Sequence, residues 1–420
     1  MDKSSNPALP LEDKPANASG KSMMVISGEV SSDNHCAPIF KKLKELYPEL
    51  RIWGVGGEKM KEAGVEIVYE NKQLSVMGAV ESLKLVPRLA EIRHDLLNRI
   101  KTENTDLVML IDYGGFNLNM AASIRGQNPN QSILYFISPQ VWASRAGRIK
   151  KIRKFTSKIL VIFPFEEPLF RQNGVPSRFV GHPLLTQIPR EKDLPDKEEF
   201  CQSYGLDPQK PVLTVFVGSR PREIRDLGPV VLDAITELRQ SKPDVQFVVS
   251  LTNEVLGKTM RDLASNSGFD EKTIVYIEAK DNYAAIKSSD LVWAKSGTTT
   301  LEVAMFGKPM LIFYRGSWLS FLGVLLFKRI KNVGLPNILA GKLLVPELLQ
   351  LDCRAQQLVR YTLDLLDVPG LRKEINKELL DLRDQLGKGN YINNCTEEIL
   401  KLLQLKQLKP ASETAEKTER

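Results

Sequence analysis

From Met23 onward the chain alternates short apolar runs with amphipathic stretches of helical length. MMVISG, RIWGVGG, DLVMLID, SILYFI and KILVIF have the length and content of buried strands, and segments such as FKKLKELY and EKMKEAG fall between them. Strands apolar on both faces and joined by helix-length connections predict a parallel sheet with right-handed crossovers, so the first part of the chain reads as a Rossmann-like lobe. A polar stretch with prolines at 183–208 interrupts the rhythm. It resumes with PVLTVFVGSR, DVQFVVSL, KTIVYIEA, DLVWAKSG and PMLIFY. The pattern predicts an α/β chain of two doubly wound lobes facing an interlobe cleft. The expected boundaries are a lobe at 22–185, a linker at 186–208 and a second lobe at 209–355. Helices at 356–408 either pack on one lobe or cross back to the first. Residues 1–21 and 409–420 are polar and read as disordered tails, the first lacking the apolar core of a signal peptide.

Composition narrows the function classes. A length of 420 residues exceeds one ordinary core at roughly 100–200 residues per domain, and 42% hydrophobic with 26% charged residues is a folded composition. Cys36, Cys201, Cys353 and Cys395 form no CxxC pair and read as reduced thiols of a cytosolic protein. The histidines lie far apart without ligand spacing, so no metal is expected. A net charge of +7 suits a phosphate-bearing partner. The densest basic patch, Arg145, Arg148, Lys150, Lys151, Arg153 and Lys154, lacks interleaved aromatics for stacking bases, so no nucleic acid is expected. It is either a solvated helix face or an anion site. No run reaches the roughly eighteen apolar residues of a spanning helix. The nearest, SWLSFLGVLLF at 317–327, is followed by Lys328, Arg329 and Lys331 and reads as an interfacial segment or as a buried helix.

Ligands of doubly wound folds bind beyond the carboxyl ends of the strands, where this chain places SGEVSSD, GVGG, DYGGFN, GSRPREI and KSGTTTLE. Ser296, Gly297, Thr298 and Thr299 would open a helix whose free N–H groups face a diphosphate, with Glu302 one turn on for ribose hydroxyls; the alternative is a plain helix cap. Gly218 and Ser219 turn the chain, and Arg220 then serves as a bidentate cation for a phosphate leaving group, or as a surface partner of Glu223. Asp112 ends an apolar strand and is either a cap for GGFN or a general base. His182, in FVGHP, is a secondary candidate.

These tracts resemble those of the lipid-A-disaccharide synthase family. The ordered series SGEVSSD, GVGG, SVMGAVE, LIDYGGFN, FISPQVWA, FPFEEPLF, FVGHP, GSRPREI, SGTTTLE and LPNILAGKLLVPELLQ carries the resemblance from about Met23 to Gln350. It implies a metal-independent GT-B glycosyltransferase that needs no cofactor and whose C-terminal lobe binds UDP. The implied donor is UDP-2,3-diacylglucosamine and the implied acceptor 2,3-diacylglucosamine 1-phosphate, joined with inversion at the inner face of the cytoplasmic membrane; the resemblance is also compatible with a homodimer. By position, Asp112, Arg220 and Asn337 match the family's catalytic residues. Gly28, Glu29, Asp33, Met77, Gln140, His182, Gly218, Ser219, Glu223, Ser296, Gly297, Thr298 and Glu302 match substrate-binding positions. The chain departs from the family pattern at Ser32, Gly114 and Ser144. Ser32 is expected to tighten an acceptor loop and Gly114 to loosen the loop after Asp112. The competing readings are a GT-B enzyme for another UDP-sugar or acceptor, and a non-catalytic paralogue that binds acylated sugars.

Overall fold

In the computed structural model, residues 20–74, 79–143, 146–251, 253–269, 273–316 and 332–405 are described. Met77, Ser144, Arg145 and the apolar run 317–327 lie outside them. Strands β1 (Ser22–Ser27), β2 (Arg51–Gly56), β3 (Glu66–Glu70), β4 (Leu107–Ile111), β5 (Ser132–Phe136), β6 (Lys158–Val161) and β7 (Ser177–Phe179) form one seven-stranded sheet. Its order is β3-β2-β1-β4-β5-β6-β7, and every neighbouring pair is parallel. Met23 to Ile26 and Leu107 to Ile111 are wholly buried, which is why these strands read as unbroken apolar runs.

The second sheet contains β8 (Val212–Phe216), β9 (Gln246–Leu251), β10 (Ile274–Glu278), β11 (Leu291–Lys295), β12 (Met310–Tyr314) and β13 (Glu347–Leu349). Its order is β10-β9-β8-β11-β12-β13, again parallel throughout. The unforeseen strands β3, β7 and β13 all lie at sheet edges. An edge strand is covered less completely and needs no continuous apolar run to hold it.

The chain divides into two units: residues up to Pro183 together with those from Gly387 onward, and Leu184–Leu386. The stretch expected to be a linker, 186–208, is instead folded into the second unit. Its helix Lys197–Ser203 begins with a capping box between Asp196 and Glu199 and buries Phe200 and Cys201 against Val212, Val248 and Ile277. Helices Ala355–Asp367 and Pro369–Gln385 also belong to this unit, and the Trp293 indole donates to Thr362 Oγ1 at 2.9 Å. The last helix, Tyr391–Leu403, belongs to the first unit, where it packs on helix Val30–Leu46. Burial alone would raise the Glu398 carboxyl, but Lys158, Arg178 and Lys401 outweigh it and hold it at about 2. That carboxylate clips the helix to β6 and β7.

The order of each sheet reverses once, between β1 and β4 in the first and between β8 and β11 in the second. Such a reversal splays the connecting helices to opposite faces and leaves a crevice beyond the strand ends. The tracts after β1, β4, β8 and β11 open there.

Candidate active site

In the first unit, β4 runs into a sharp elbow. Asp112 (φ 47°) and Tyr113 (φ 44°) both adopt the left-handed conformation, which costs a side-chain-bearing residue roughly 1–3 kcal/mol. The surroundings compensate. Asn117 Nδ2 donates to the carbonyl oxygens of Ile111 (3.0 Å) and Asp112 (2.9 Å), Tyr135 Oη donates to the Asp112 carbonyl, and Tyr113 Oη donates to the Leu74 carbonyl. Gly28 is required on the facing turn, since a Cβ there would lie 2.5 Å from the Tyr113 ring. The residue before helix Gly114–Gln127 is Tyr113, with no side-chain cap, so Asp112 is not the helix cap. Burial first, and the charge of exposed Glu29 second, raise the Asp112 carboxyl to about 6, against a pull downward from the Tyr113 N–H.

Asp33 has a different task. Its carboxyl oxygens accept from the N–H groups of Gly57 (3.0 Å), Lys59 (3.2 Å) and Met60 (3.1 Å), so it caps helix Glu58–Glu62. Ser32 lies in the first turn of helix Val30–Leu46, buried and with its hydroxyl unpartnered among the described residues, so it does not tighten a loop. Gly114 does not loosen its loop either. A Cβ at this position would lie 2.6 Å from Pro139 Cγ and 3.0 Å from Arg148 Nη1, so the SPQVW loop has closed into the space that the glycine leaves.

That loop is tied from below by Glu166, which the sequence analysis passed over. Glu166 accepts from Ser138 Oγ (3.0 Å), Trp142 Nε1 (3.1 Å) and the Phe163 N–H (3.1 Å). Burial pushes its carboxyl up to about 7 despite these donors. Trp142 meets Phe165 edge-on at 5.3 Å, and Phe163 stacks on Phe165 at 5.6 Å. Gln140, at the loop tip, is exposed. His182 is buried 5.2 Å from the Phe163 ring; burial first and His35 second lower it to about 3, so it is a neutral imidazole at physiological pH.

In the second unit, the turn after β8 is built around Glu223. Its Oε2 accepts from the N–H groups of Ser219 (2.9 Å) and Arg220 (3.3 Å), and its Oε1 pairs with Lys295 at 2.8 Å. Burial works to raise this carboxyl, but Lys295, the Ser219 N–H and the Arg220 charge outweigh it and hold it below the usual range. Gly218 has φ 137°, and a Cβ there would meet Glu223 Oε2 at 2.4 Å. Lys295 therefore ties the turn after β8 to the one after β11, a role the sequence analysis missed. The Arg220 side chain is exposed, and among the described residues its guanidinium makes no ion pair, because Glu223 is engaged elsewhere.

After β11, Ser296 and Gly297 lead into helix Thr298–Met305, whose N-cap, Gly297, provides no side-chain cap. The first N–H groups of the helix are thus not consumed by Ser296, as a plain cap would require. Tyr283 Oη lies 3.4 Å from Glu302 Oε1. Burial raises the Glu302 carboxyl, with Tyr283 and Thr299 pulling it down.

Asn337, expected to be catalytic, is fully buried and fully employed. Its Nδ2 donates to the Val345 carbonyl and to Glu347 Oε1, both at 2.8 Å, and its Oδ1 accepts from the N–H groups of Leu344 (2.8 Å) and Val345 (2.9 Å). Glu347 also accepts from the N–H groups of Val333 and Gly334. Asn337 is a staple of the LPN-to-PEL segment. Asn337→Ala leaves two buried N–H groups unpaired and is expected to cost roughly 3 kcal/mol or more. Urea unfolding of the variant checks this; wild-type stability with lost turnover would restore the catalytic reading.

A family model described as lipid-A-disaccharide synthetase matches residues 23–399. The lipid-A-disaccharide synthase of Geobacter sulfurreducens is 35% identical over 381 residues, spanning 91% of this chain and 97% of that protein. That of Coxiella burnetii (strain RSA 331) is 36% identical over 387 residues, spanning 92% and 99%. Among solved structures, the UDP-N-acetylglucosamine 2-epimerase of Neisseria meningitidis bound to UDP-GlcNAc superimposes with a TM-score of 0.60 at 15% identity, covering 91% of this chain and all of that one (100%). The S. aureus MnaA–UDP co-structure gives 0.62 at 14% identity, covering 93% and 99%. At these identities the structural likeness shows the fold, a GT-B architecture of two Rossmann-like units.

Proposed function

The chain belongs to the lipid-A-disaccharide synthase family, and from that premise we propose how its residues divide the reaction. The enzyme condenses UDP-2,3-diacylglucosamine with 2,3-diacylglucosamine 1-phosphate, giving lipid A disaccharide 1-phosphate and UDP. Asp112 takes the proton of the acceptor 6-hydroxyl as that oxygen attacks the donor's anomeric carbon from the side opposite the diphosphate. The anomeric carbon–oxygen bond breaks, UDP leaves with the electron pair, and the proton passes from Asp112 to solvent. Arg220 and the N–H groups beginning helix Thr298–Met305 receive the diphosphate, and Glu302 the ribose hydroxyls. Burial first, and the charge of Glu29 second, keep Asp112 basic. Because both substrates carry acyl chains, the protein works at the inner membrane surface; among the described residues no helix is long and apolar enough to cross a membrane.

The observation that carries the base assignment is the contrast between two aspartates. The Asp33 carboxyl is occupied by three backbone donors, whereas Asp112 sits at the strand-order reversal, raised to about 6 and met by the Tyr113 N–H. A carboxylate of that pKa is ionised at neutral pH yet accepts a proton readily. The rate constant kcat/KM should therefore be flat at neutral pH and fall about tenfold per pH unit below about 6 as Asp112 protonates. Mass spectrometry of disaccharide and UDP formed with chelator present, between about pH 5 and 8, tests both parts. A profile without this acid limb, or no disaccharide at all, overturns the reading.

A further inference from the structure

Helix Arg148–Phe155, with sequence RIKKIRKF, carries Arg148, Lys150, Lys151, Arg153 and Lys154 and no acidic residue. Among the described residues none of these cations makes an ion pair. The apolar side of the helix, Ile149, Ile152 and Phe155, packs on the core of the first unit. Lys150, Lys151, Arg153 and Lys154 are exposed, but Arg148 is half-buried. A half-buried guanidinium loses hydration that, among the described residues, no counter-charge replaces, so it is suited to an arriving anion.

The position of Arg148 identifies the anion. Its Nη1 lies 3.0 Å from the point where a Cβ on Gly114 would stand, two residues past Asp112. Its charge also reaches the phenol of Tyr135, which donates to the Asp112 carbonyl. The groups that set the Asp112 carboxyl are burial, Glu29 and the Tyr113 N–H, so Arg148 stands against the loop that follows the base and is not the base's own counter-charge. On an acceptor sugar 1-phosphate, only C6, C5, the ring oxygen and C1 separate the attacking hydroxyl from the phosphate oxygen. Whatever binds that phosphate must stand within one sugar ring of the base.

We propose that Arg148 binds the anomeric phosphomonoester of the acceptor, with the exposed cations of the same helix extending the positive field in which it arrives. The proposal rests on the acceptor assignment above. It is specific to Arg148 because a guanidinium grips a phosphomonoester through two parallel N–H bonds, whereas the exposed lysines supply only screened charge.

The test compares two acceptors, 2,3-diacylglucosamine 1-phosphate and its 1-O-methyl glycoside, which keeps the hydroxyl and acyl chains but lacks the phosphate. Arg148→Ala should weaken the phosphorylated acceptor by about 10- to 100-fold, in KM and in donor-free binding, as expected for a lost charge-assisted pair. It should leave the methyl glycoside and the donor KM near wild type, and Arg148→Lys should recover part of the loss. An equal loss on both acceptors would show that Arg148 merely props the Gly114 loop, overturning the proposal. So would a loss confined to binding phosphatidylglycerol vesicles with unchanged kinetics in micelles, since the anion would then be a lipid headgroup. Donor-free binding separates this from the base assignment. If Asp112→Asn keeps its turnover, the base reading fails while discrimination by Arg148 stands or falls independently.

Discussion

Asp112→Asn is expected to lose on the order of a thousandfold in turnover while melting at a higher temperature than the wild type. The amide keeps the shape of the carboxyl but cannot take the acceptor's proton, and general-base catalysis by a positioned group is worth about 10²–10⁴. The stability gain follows from the same burial. Burial first and Glu29 second raise the folded carboxyl from an ordinary 3.8 to about 6. At roughly 1.4 kcal/mol per unit, keeping it ionised at neutral pH costs the folded state about 3 kcal/mol. Because the folded pKa is raised, the cost is absent below about pH 4, grows as pH rises, and is complete above about pH 6. The variant's advantage should thus be largest near neutral pH and shrink on acidification. Asparagine also tolerates the left-handed backbone at φ 47° as well as aspartate does. Turnover together with thermal melts at about pH 7.5 and pH 4.5 checks both halves. A variant that is both inactive and less stable would make Asp112 a structural residue.

Most of the fold could be read from the sequence because buried parallel strands leave unbroken apolar runs, as Met23 to Ile26 and Leu107 to Ile111 do. The linker reading of 186–208 failed because proline-rich polar sequence is a statement about exposure, and a short helix needs few buried residues. Phe200 and Cys201 were enough. At the sites, the glycines were legible and their reasons were not. Gly28 makes room for Tyr113, Gly57 for Asp33 and Gly218 for Glu223, each a side chain brought in by the fold.

The same limit explains why the structural tasks of the polar residues were not legible. Asp33 and Asp112 both stand close to strand ends, and nothing local says that three backbone N–H groups of helix Glu58–Glu62 and its preceding turn converge on the first. Asn337 stands in a tract that marks the family, yet its four hydrogen bonds run to the chain just beyond it. A recurring motif residue can hold a loop as readily as it can hold a substrate. Lys295 and Glu166 were overlooked for the converse reason. Each is an ordinary charge in its own segment and becomes informative only once Glu223, or Ser138 and Trp142, is brought against it.

Arg220→Ala is expected to lower kcat by about 10²- to 10³-fold with a stability change within about 0.5 kcal/mol. The turn that presents Arg220 is held by Glu223 on two backbone N–H groups and by Lys295 on Glu223, none of which needs the arginine side chain. Removing an exposed guanidinium that makes no ion pair among the described residues therefore disturbs little of the fold. As the anomeric bond breaks, negative charge collects on the departing diphosphate, and a cation already in place stabilises that charge more than it stabilises the bound donor. The loss should fall mainly on kcat, with a smaller effect on donor KM. Arg220→Lys should recover only part of the rate, because an ammonium cannot make the two parallel bonds of a guanidinium. Glu223→Gln provides the contrast: it weakens the Lys295 pair and loosens the turn, so it should lower the melting temperature as well as the rate. If Arg220→Ala instead melts early, or if lysine restores full turnover, the arginine is supporting the turn or supplying general positive charge, and the leaving-group assignment is wrong.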